Sequence, residues 1–221
     1  MLKFKVYVLF LFIFGICTIT FVNAKINNFP LAGKVIYIDP GHGGVDPGAV
    51  YKNIKESDLT LSISKKIATD LEKTGAIIYL TRDDDYDLAS PKASRRKLSD
   101  LSNRTKLINE SGCDLFISIH LNAERTGLWH GAQIFYSDSN KNNSVLAEYV
   151  QERLKKDKIS ERKISKIEED VYMYKNINSL GVLIEVGFLS NYNDRTNLLD
   201  DEYQNLLSKS IINGIIEYLK H

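Results

Sequence analysis

Short β-branched runs alternate with longer segments of helical periodicity along most of this chain, and that alternation limits its fold more than any other feature. Four apolar runs predict buried strands, at residues 34–39, 76–81, 114–120 and 181–186. A fifth, more alternating run at residues 131–137 predicts a strand nearer the sheet edge. Strands that alternate with helices favour an α/β domain whose helices cover the sheet.

Helical signals fill the segments between these strands. An apolar stripe at helical spacing follows Ser57, the expected N-cap, and Gly75 comes after its last turn. The stripe consists of Leu59, Ile63, Ile67 and Leu71. Further helices are predicted at residues 94–110 and 142–156. The last predicted helix carries Leu207, Ile211, Ile215 and Leu219 on one face.

Composition excludes several classes of protein. The 221 residues are 43% hydrophobic and 26% charged, values that do not fit a disordered, collagenous or coiled-coil chain. Because 29 Lys and Arg residues balance 28 Asp and Glu residues, the net charge is only +1. A chain so close to neutral has no general attraction for nucleic acid, and no nucleic-acid partner is expected.

The amino terminus is typical of an export signal. Lys3 and Lys5 precede an apolar run without charge at residues 6–22, and Ala24 is a suitable small residue for cleavage. The run is at the short limit of a membrane span, so cleavage after Ala24 and retention as an anchor are both open. Residues 1–24 are therefore predicted to be a signal peptide or an N-terminal membrane anchor. We expect an exported protein of the cell envelope.

The remainder of the chain predicts one domain, because no repeat, linker or low-complexity stretch divides it. We place the catalytic domain at residues 34–219. Cys113 is the only cysteine outside the leader, so the exported chain has no internal disulfide. Cys113 is expected to be a small buried apolar residue.

Two histidines and a glutamate stand at the predicted ends of elements. His42 lies in a glycine-rich loop after the first strand, His120 ends another strand, and Glu56 begins the first helix. In open α/β sheets ligands gather at the carboxyl ends of the strands, so the two histidines can converge there. Two histidines and one carboxylate form the ligand set of a catalytic zinc ion, which favours hydrolysis.

Glu185 lies inside the apolar strand at residues 181–186. Burying an ionised carboxylate costs several kcal/mol unless another group compensates it. One interpretation is a structural ion pair. Beside a metal ion, Glu185 would instead be the general base that takes a proton from water and passes it to the leaving amine.

Four motifs in this order carry a family resemblance: DPGHGG at residues 39–44, Glu56, SIHLNA at residues 118–123 and IEVGFLSN at residues 184–191. This order resembles the zinc-dependent N-acetylmuramoyl-L-alanine amidases that cleave bacterial peptidoglycan. The resemblance implies a mixed sheet of about six strands in a single α/β domain. It implies that His42, Glu56 and His120 bind zinc and that Glu185 is the catalytic glutamate.

The short layout, a leader and a catalytic domain, resembles the sporulation and germination amidases of endospore formers. Such a role implies action on spore cortex peptidoglycan, in the conversion of muramic acid to its lactam. Three alternatives remain open: a vegetative lytic amidase in cell separation, a non-catalytic peptidoglycan-binding or regulatory module, and another zinc hydrolase such as a carboxypeptidase or deacetylase. Membrane association through the leader and an unidentified protein activator are further expectations.

Three other features have simpler interpretations. His130 is predicted to be an exposed loop histidine. The neighbouring Trp129 is open to either packing or sugar contact. The acidic loop formed by Asp83, Asp84, Asp85 and Asp87 is predicted to be a solvated turn.

Overall fold

A six-stranded sheet lies at the centre of the computed structural model, which describes residues 29–168 and 171–221. The predicted leader at residues 1–24 lies outside the described residues. The strands are β1 (Val35–Pro40), β4 (Ile77–Leu80), β5 (Leu115–Asn122), β6 (Gln133–Tyr136), β7 (Ser165–Lys166) and β8 (Gly181–Phe188). Their order is β4-β1-β5-β8-β6-β7, and every neighbouring pair is parallel except β8 and β6. The prediction of a single α/β domain with a mostly parallel sheet of about six strands is confirmed.

The predicted strands and long helices are all present. The helices are α1 (Glu56–Glu72), α2 (Arg96–Glu110), α3 (Asn143–Lys156), α4 (Tyr172–Asn176), α5 (Tyr192–Leu198) and α6 (Asp201–Leu219). The two short helices, the strand β7 and a hairpin of β2 (Val50–Tyr51) and β3 (Ile54–Lys55) were not predicted. Strands of two residues cannot show alternation, and helices of five and seven residues are too short to show a clear helical period.

Helices cover both faces of the sheet. On one face α1, α3 and α6 pack on the larger apolar core, where the side chains of Ile38, Ile119 and Ile184 are fully buried. On the other face a smaller core forms around Phe116 and Met173 beneath α2 and α4. Because both faces of the central strands are covered, the sheet edge at their carboxyl ends is the place where polar side chains can reach a ligand.

The start of α1 differs from the sequence prediction. The N-cap is Lys55 rather than Ser57, and Glu56 is already the first helical residue. The backbone N–H of Glu56 donates to Ala49 O at 2.9 Å, and the N–H of Ser57 donates to Pro47 O at 3.1 Å. Carbonyl groups of the preceding loop therefore satisfy the N–H groups that a capping side chain usually satisfies.

Two smaller observations complete the fold. Cys113 is free and packs against the smaller core, but it is partly rather than completely buried, so the prediction of a buried apolar residue holds only in part. Within residues 29–168 and 171–221, none of the helices combines the length and apolar character needed to cross a bilayer.

Candidate metal centre and active site

His42, Glu56 and His120 meet at the carboxyl edge of the sheet. The two imidazole rings are 4.9 Å apart between centroids. Glu56 Oε1 lies 3.1 Å from His42 Nε2 and 3.1 Å from His120 Nδ1. One ligand atom from each residue lies within 4.8 Å of the others, so the three can hold a metal ion. The structure thus brings together the three residues that the sequence suggested as ligands, and their role as zinc ligands stays a prediction.

The loop after β1 presents His42 in an uncommon backbone conformation. His42 has φ +60°, in the left-handed region, and Gly43 and Asp46 close the loop through two mutual backbone hydrogen bonds of 2.8 and 3.1 Å. Asp46 Oδ2 lies 3.0 Å from His42 Nδ1, which leaves Nε2 facing Glu56. Burial lowers the pKa of His42, but hydrogen bonds with Glu56 and Asp46 outweigh burial and raise it. A carboxylate on the second ring nitrogen is a common way to orient a metal-binding histidine.

Glu56 is buried and held at both carboxylate oxygens. The backbone N–H of Leu121 donates to Oε1 at 3.0 Å, and the N–H of Ala49 donates to Oε2 at 2.9 Å. Burial opposes ionisation, yet hydrogen bonds with His120 and His42 keep the pKa of Glu56 well below its usual range. The carboxylate therefore stays ionised, as a metal ligand must be.

Two glycines leave the space that the cluster occupies. A Cβ added at Gly41 would lie 2.4 to 2.6 Å from ring atoms of His120. A Cβ added at Gly48 would lie 2.6 Å from Glu56 Oε2 and 2.7 Å from His42 Cδ2. The glycine-rich loop is therefore required for the close approach of the backbone to these side chains.

Glu185 is opposite His120 in the sheet, since the two residues are register partners between β5 and β8. The register shifts immediately after this pair, so that Asn122 faces Phe188. Such irregularities are frequent beside active sites, where they redirect side chains.

Few polar groups compensate the burial of the Glu185 carboxyl group. Its Oε2 is buried and has no hydrogen-bond partner in the part of the chain that the structure describes. Burial raises the pKa of Glu185 to about 7. Among the ion pairs of the described residues none includes Glu185, which argues against the structural ion-pair interpretation. A carboxyl group with a pKa near neutrality can accept and return a proton, which suits a general base.

A buried ion-pair network stabilises the loop after β1. Sequence reasoning missed this network. Asp39 Oδ1 accepts from Arg104 Nη1 at 2.8 Å, and Arg104 Nε donates to Asp100 Oδ2 at 2.9 Å. Arg104 also donates to the carbonyls of Pro40 and His42. Burial raises the pKa of Asp39, but the Arg104 charge and hydrogen bonds more than compensate and lower it. Only the position of Asp39 at the end of a strand hinted at this role.

The acidic loop is solvated at Asp83, Asp84 and Asp85, as predicted, but the prediction is wrong for Asp87. Asp85 Oδ1 accepts from the backbone N–H of Gly44 at 2.8 Å. Asp87 forms an ion pair with Arg96 at 3.0 Å, and its side chain is only 4% exposed. The Asp85 carboxylate therefore fixes the glycine-rich loop through a backbone N–H, and the Asp87 carboxylate fixes the start of α2 through the Arg96 guanidinium group.

A cavity of about 260 Å³ opens beside the cluster, between the two histidines and the helices α2 and α4. Its wall is mainly apolar, with Leu101, Met173 and Leu183, and Lys97 also lines it. Further out, His130 is exposed, as predicted. The Trp129 ring is 58% exposed and lies 5.0 Å from the Arg162 guanidinium, which favours neither packing nor sugar contact.

A His-Glu-His cluster with a neighbouring unpaired carboxylate at this edge of an α/β sheet is typical of metal-dependent hydrolases. Comparison with known proteins identifies the family to which the chain belongs. Residues 36–217 match the family model described as N-acetylmuramoyl-L-alanine amidase, and the chain belongs to that family. The enzyme class implied by the four motifs is thereby confirmed.

Individual relatives agree with this assignment. The chain is 42% identical over 194 residues to the germination-specific N-acetylmuramoyl-L-alanine amidase of Bacillus subtilis, covering 86% of this chain and 82% of the relative. It is similar to the CwlD amidase of Clostridioides difficile, solved in complex with the GerS lipoprotein, with a TM-score of 0.80 and 37% identity over 85% of this chain and 99% of the other. An N-acetylmuramoyl-L-alanine amidase from Clostridium difficile 630 matches with a TM-score of 0.75 and 32% identity, covering 85% and 97%.

Proposed function

We propose that the protein is a zinc hydrolase that cleaves the amide bond between the lactyl group of N-acetylmuramic acid and L-alanine in peptidoglycan. In this proposal His42, Glu56 and His120 hold the zinc ion and Glu185 transfers the proton. The observation that carries it is the buried Glu185 Oε2, which has no hydrogen-bond partner among the described residues, beside a His-Glu-His cluster whose glutamate is buried. A non-catalytic binding module would have no need for such a costly arrangement.

The donor set fits zinc better than magnesium or calcium. Two imidazole nitrogens and one carboxylate oxygen are typical of catalytic zinc sites, whereas magnesium and calcium prefer oxygen ligands alone. Both histidines are half-buried and open to the cavity, which leaves room for a further ligand. When bound, zinc would polarise the amide carbonyl group and lower the pKa of water.

Glu185 would perform the proton transfer. As water attacks the carbonyl carbon, the Glu185 carboxylate accepts the proton that the water loses. When the C–N bond breaks, the same carboxyl group returns that proton to the departing nitrogen of L-alanine. The second proton of the water leaves the new carboxyl group and moves to the amine, so the products are a lactyl carboxylate and a peptide ammonium group, and atoms and charge balance.

The test is mass spectrometry of purified peptidoglycan treated with the wild type and with Glu185→Gln. We expect new muramic acid carboxylates and L-alanine amino termini with the wild type, and at least ~100-fold slower release with the variant. Zinc content measured by atomic emission serves as the control, because Glu185→Gln should retain the metal. Products cut within the stem peptide, or at the N-acetyl group, would instead identify a carboxypeptidase or a deacetylase.

The spore cortex is the proposed setting. This proposal is supported by the similarity to the germination-specific amidase of Bacillus subtilis. We expect spores that carry only Glu185→Gln to lack muramic lactam in their cortex fragments and to germinate poorly. Normal lactam content, together with unseparated vegetative cells, would favour the vegetative alternative.

Export and a protein partner complete the proposal. The leader would place the enzyme outside the cytoplasm, either free after cleavage at Ala24 or anchored in the membrane. Amino-terminal sequencing of the protein from cell envelopes distinguishes the two. A protein activator is supported by the solved complex of the CwlD amidase with a lipoprotein. Co-purification from sporulating cells, followed by an activity assay with and without the recovered protein, tests it.

A further inference from the structure

Arg82 is a buried arginine that has no carboxylate partner among the described residues. It follows the end of β4, and its side chain is fully buried. None of the ion pairs among the described residues includes it. Burying a guanidinium group without an opposite charge is costly, so its hydrogen bonds must serve the fold or the site.

The guanidinium group of Arg82 connects two segments that carry cluster residues. Nε donates to Pro40 O at 3.1 Å and Nη2 donates to Gly41 O at 2.9 Å, in the segment that leads to His42. Nη2 also donates to Ser57 O at 2.8 Å, in the residue that follows Glu56. A planar guanidinium group can hold several acceptors in a fixed geometry, which a lysine ammonium group cannot.

Neighbouring residues complete this bridge. Thr60 Oγ1 contacts both Gly41 O at 2.8 Å and Ser57 O at 3.1 Å, and it accepts from Arg82 Nη2 at 3.2 Å. A Cβ added at Gly43 would lie 2.8 Å from Arg82 Nε, so this glycine leaves the space for the arginine. The bridge therefore joins three segments, namely the loop after β1, the first turns of α1 and Arg82, the second residue after β4.

We infer that Arg82 is a positioning residue for the metal centre, which fixes the separation of His42 and Glu56 by joining the backbone segments that carry them. The inference rests on the proposed function, because it concerns the same metal centre. Arg82 contacts the backbone and the Thr60 hydroxyl but none of the three proposed ligands, so it acts through their main-chain positions.

The first experiment uses the metal-free protein. Amide hydrogen exchange is measured by mass spectrometry for the wild type, Arg82→Met and Arg82→Lys. Gln204→Met is the matched control, because Gln204 is buried and donates to a backbone carbonyl, Leu198 O, away from the cluster. We expect faster exchange at both residues 41–44 and residues 56–58 in the Arg82 variants and wild-type exchange there in the control. Unchanged exchange in the Arg82 variants would overturn the inference.

The second experiment measures zinc affinity by competition with a chelating dye. We expect about 10–100-fold weaker binding in Arg82→Met, a smaller loss in Arg82→Lys and no change in Gln204→Met. If Arg82→Met does not fold, Arg82→Lys decides, and wild-type affinity in a folded Arg82→Lys overturns the inference. A wild type that binds no zinc would overturn the proposed function instead, and hydrogen exchange would then decide the role of Arg82.

Discussion

A methyl group at Gly48 should disrupt the metal centre directly. Gly48 has φ +67°, and an added Cβ would lie 2.6 Å from Glu56 Oε2, 2.7 Å from His42 Cδ2 and 2.9 Å from Glu56 Cβ. These distances are shorter than any ordinary carbon contact, so at least one of the two side chains must move. Gly48→Ala therefore changes the positions of the proposed ligands without altering a ligand itself.

Gly112→Ala is the matched control for this variant. Gly112 follows α2 with φ +64°, and an added Cβ would meet nothing within 4 Å. Both variants carry the cost of placing alanine in the left-handed region, about 1–2 kcal/mol of unfolding free energy. Only Gly48→Ala adds the collision at the cluster, so the difference between the two variants isolates the effect of that collision.

Displacement of a metal-centre side chain typically weakens binding by about 10–100-fold. With about 1.4 kcal/mol for each factor of ten, this corresponds to about 1.4–2.8 kcal/mol of zinc-binding free energy. The measurements are urea unfolding of the metal-free proteins and competitive zinc titration of the folded ones. We expect the unfolding free energy of Gly48→Ala to equal that of Gly112→Ala or to be moderately lower. We expect Gly48→Ala to bind zinc much more weakly than Gly112→Ala does. Equal zinc affinities would refute the reasoning that the Gly48 contact positions Glu56 and His42.

Three further predictions follow from the loop and its support. Asp46→Asn should weaken zinc binding by about 10-fold, because an amide holds His42 Nδ1 less strongly than a carboxylate does, and the same titration measures this. Arg104→Met should lower the unfolding free energy by about 3–5 kcal/mol in urea, because Asp39 is left buried without its cation. A loss below 1 kcal/mol would contradict that interpretation. Because the folded-state pKa of Asp39 is lowered, its contribution to stability is present above pH ~4 and is lost as the pH falls through the folded-state pKa. Asp39→Asn should therefore make acid unfolding less steep, and an unchanged slope would show that Asp39 does not contribute.

The parts of the site that sequence reasoning predicted share one property. His120 and Glu185 lie in apolar strands, and His42 lies in the loop just after one. Hydrophobic patterning alone therefore places all three in the sheet or next to it. Because neighbouring parallel strands end at one edge, the approach of the two histidines follows from topology. The sequence could not give the register of β5 against β8, which places His120 opposite Glu185.

The supporting residues were not predictable in the same way. Arg82 donates mainly to backbone carbonyls and Arg104 does so in part, and a carbonyl group is present at every position of the chain. Neither residue type nor spacing therefore predicts which carbonyl group an arginine side chain will donate to. Asp87 in the acidic loop was misinterpreted for a similar reason, since one of its partners is a backbone N–H, that of Ala89. The capping of α1 likewise depends on backbone carbonyl groups of the preceding loop, so no pattern of side chains predicts it.

Two glutamates in one site have pKa values shifted in opposite directions, and their surroundings account for the difference. Glu56 has a hydrogen-bond donor or imidazole at each oxygen, so its pKa is low although it is buried. Glu185 is register partner to His120, but its Oε2 has no partner, so burial dominates and raises its pKa to about 7. A metal ligand needs the first environment and a group that takes and returns a proton needs the second. Residue type alone would permit either glutamate in either role, and the hydrogen bonds of Glu56 with His120 and His42 favour Glu56 as the proposed ligand and Glu185 as the proposed proton carrier.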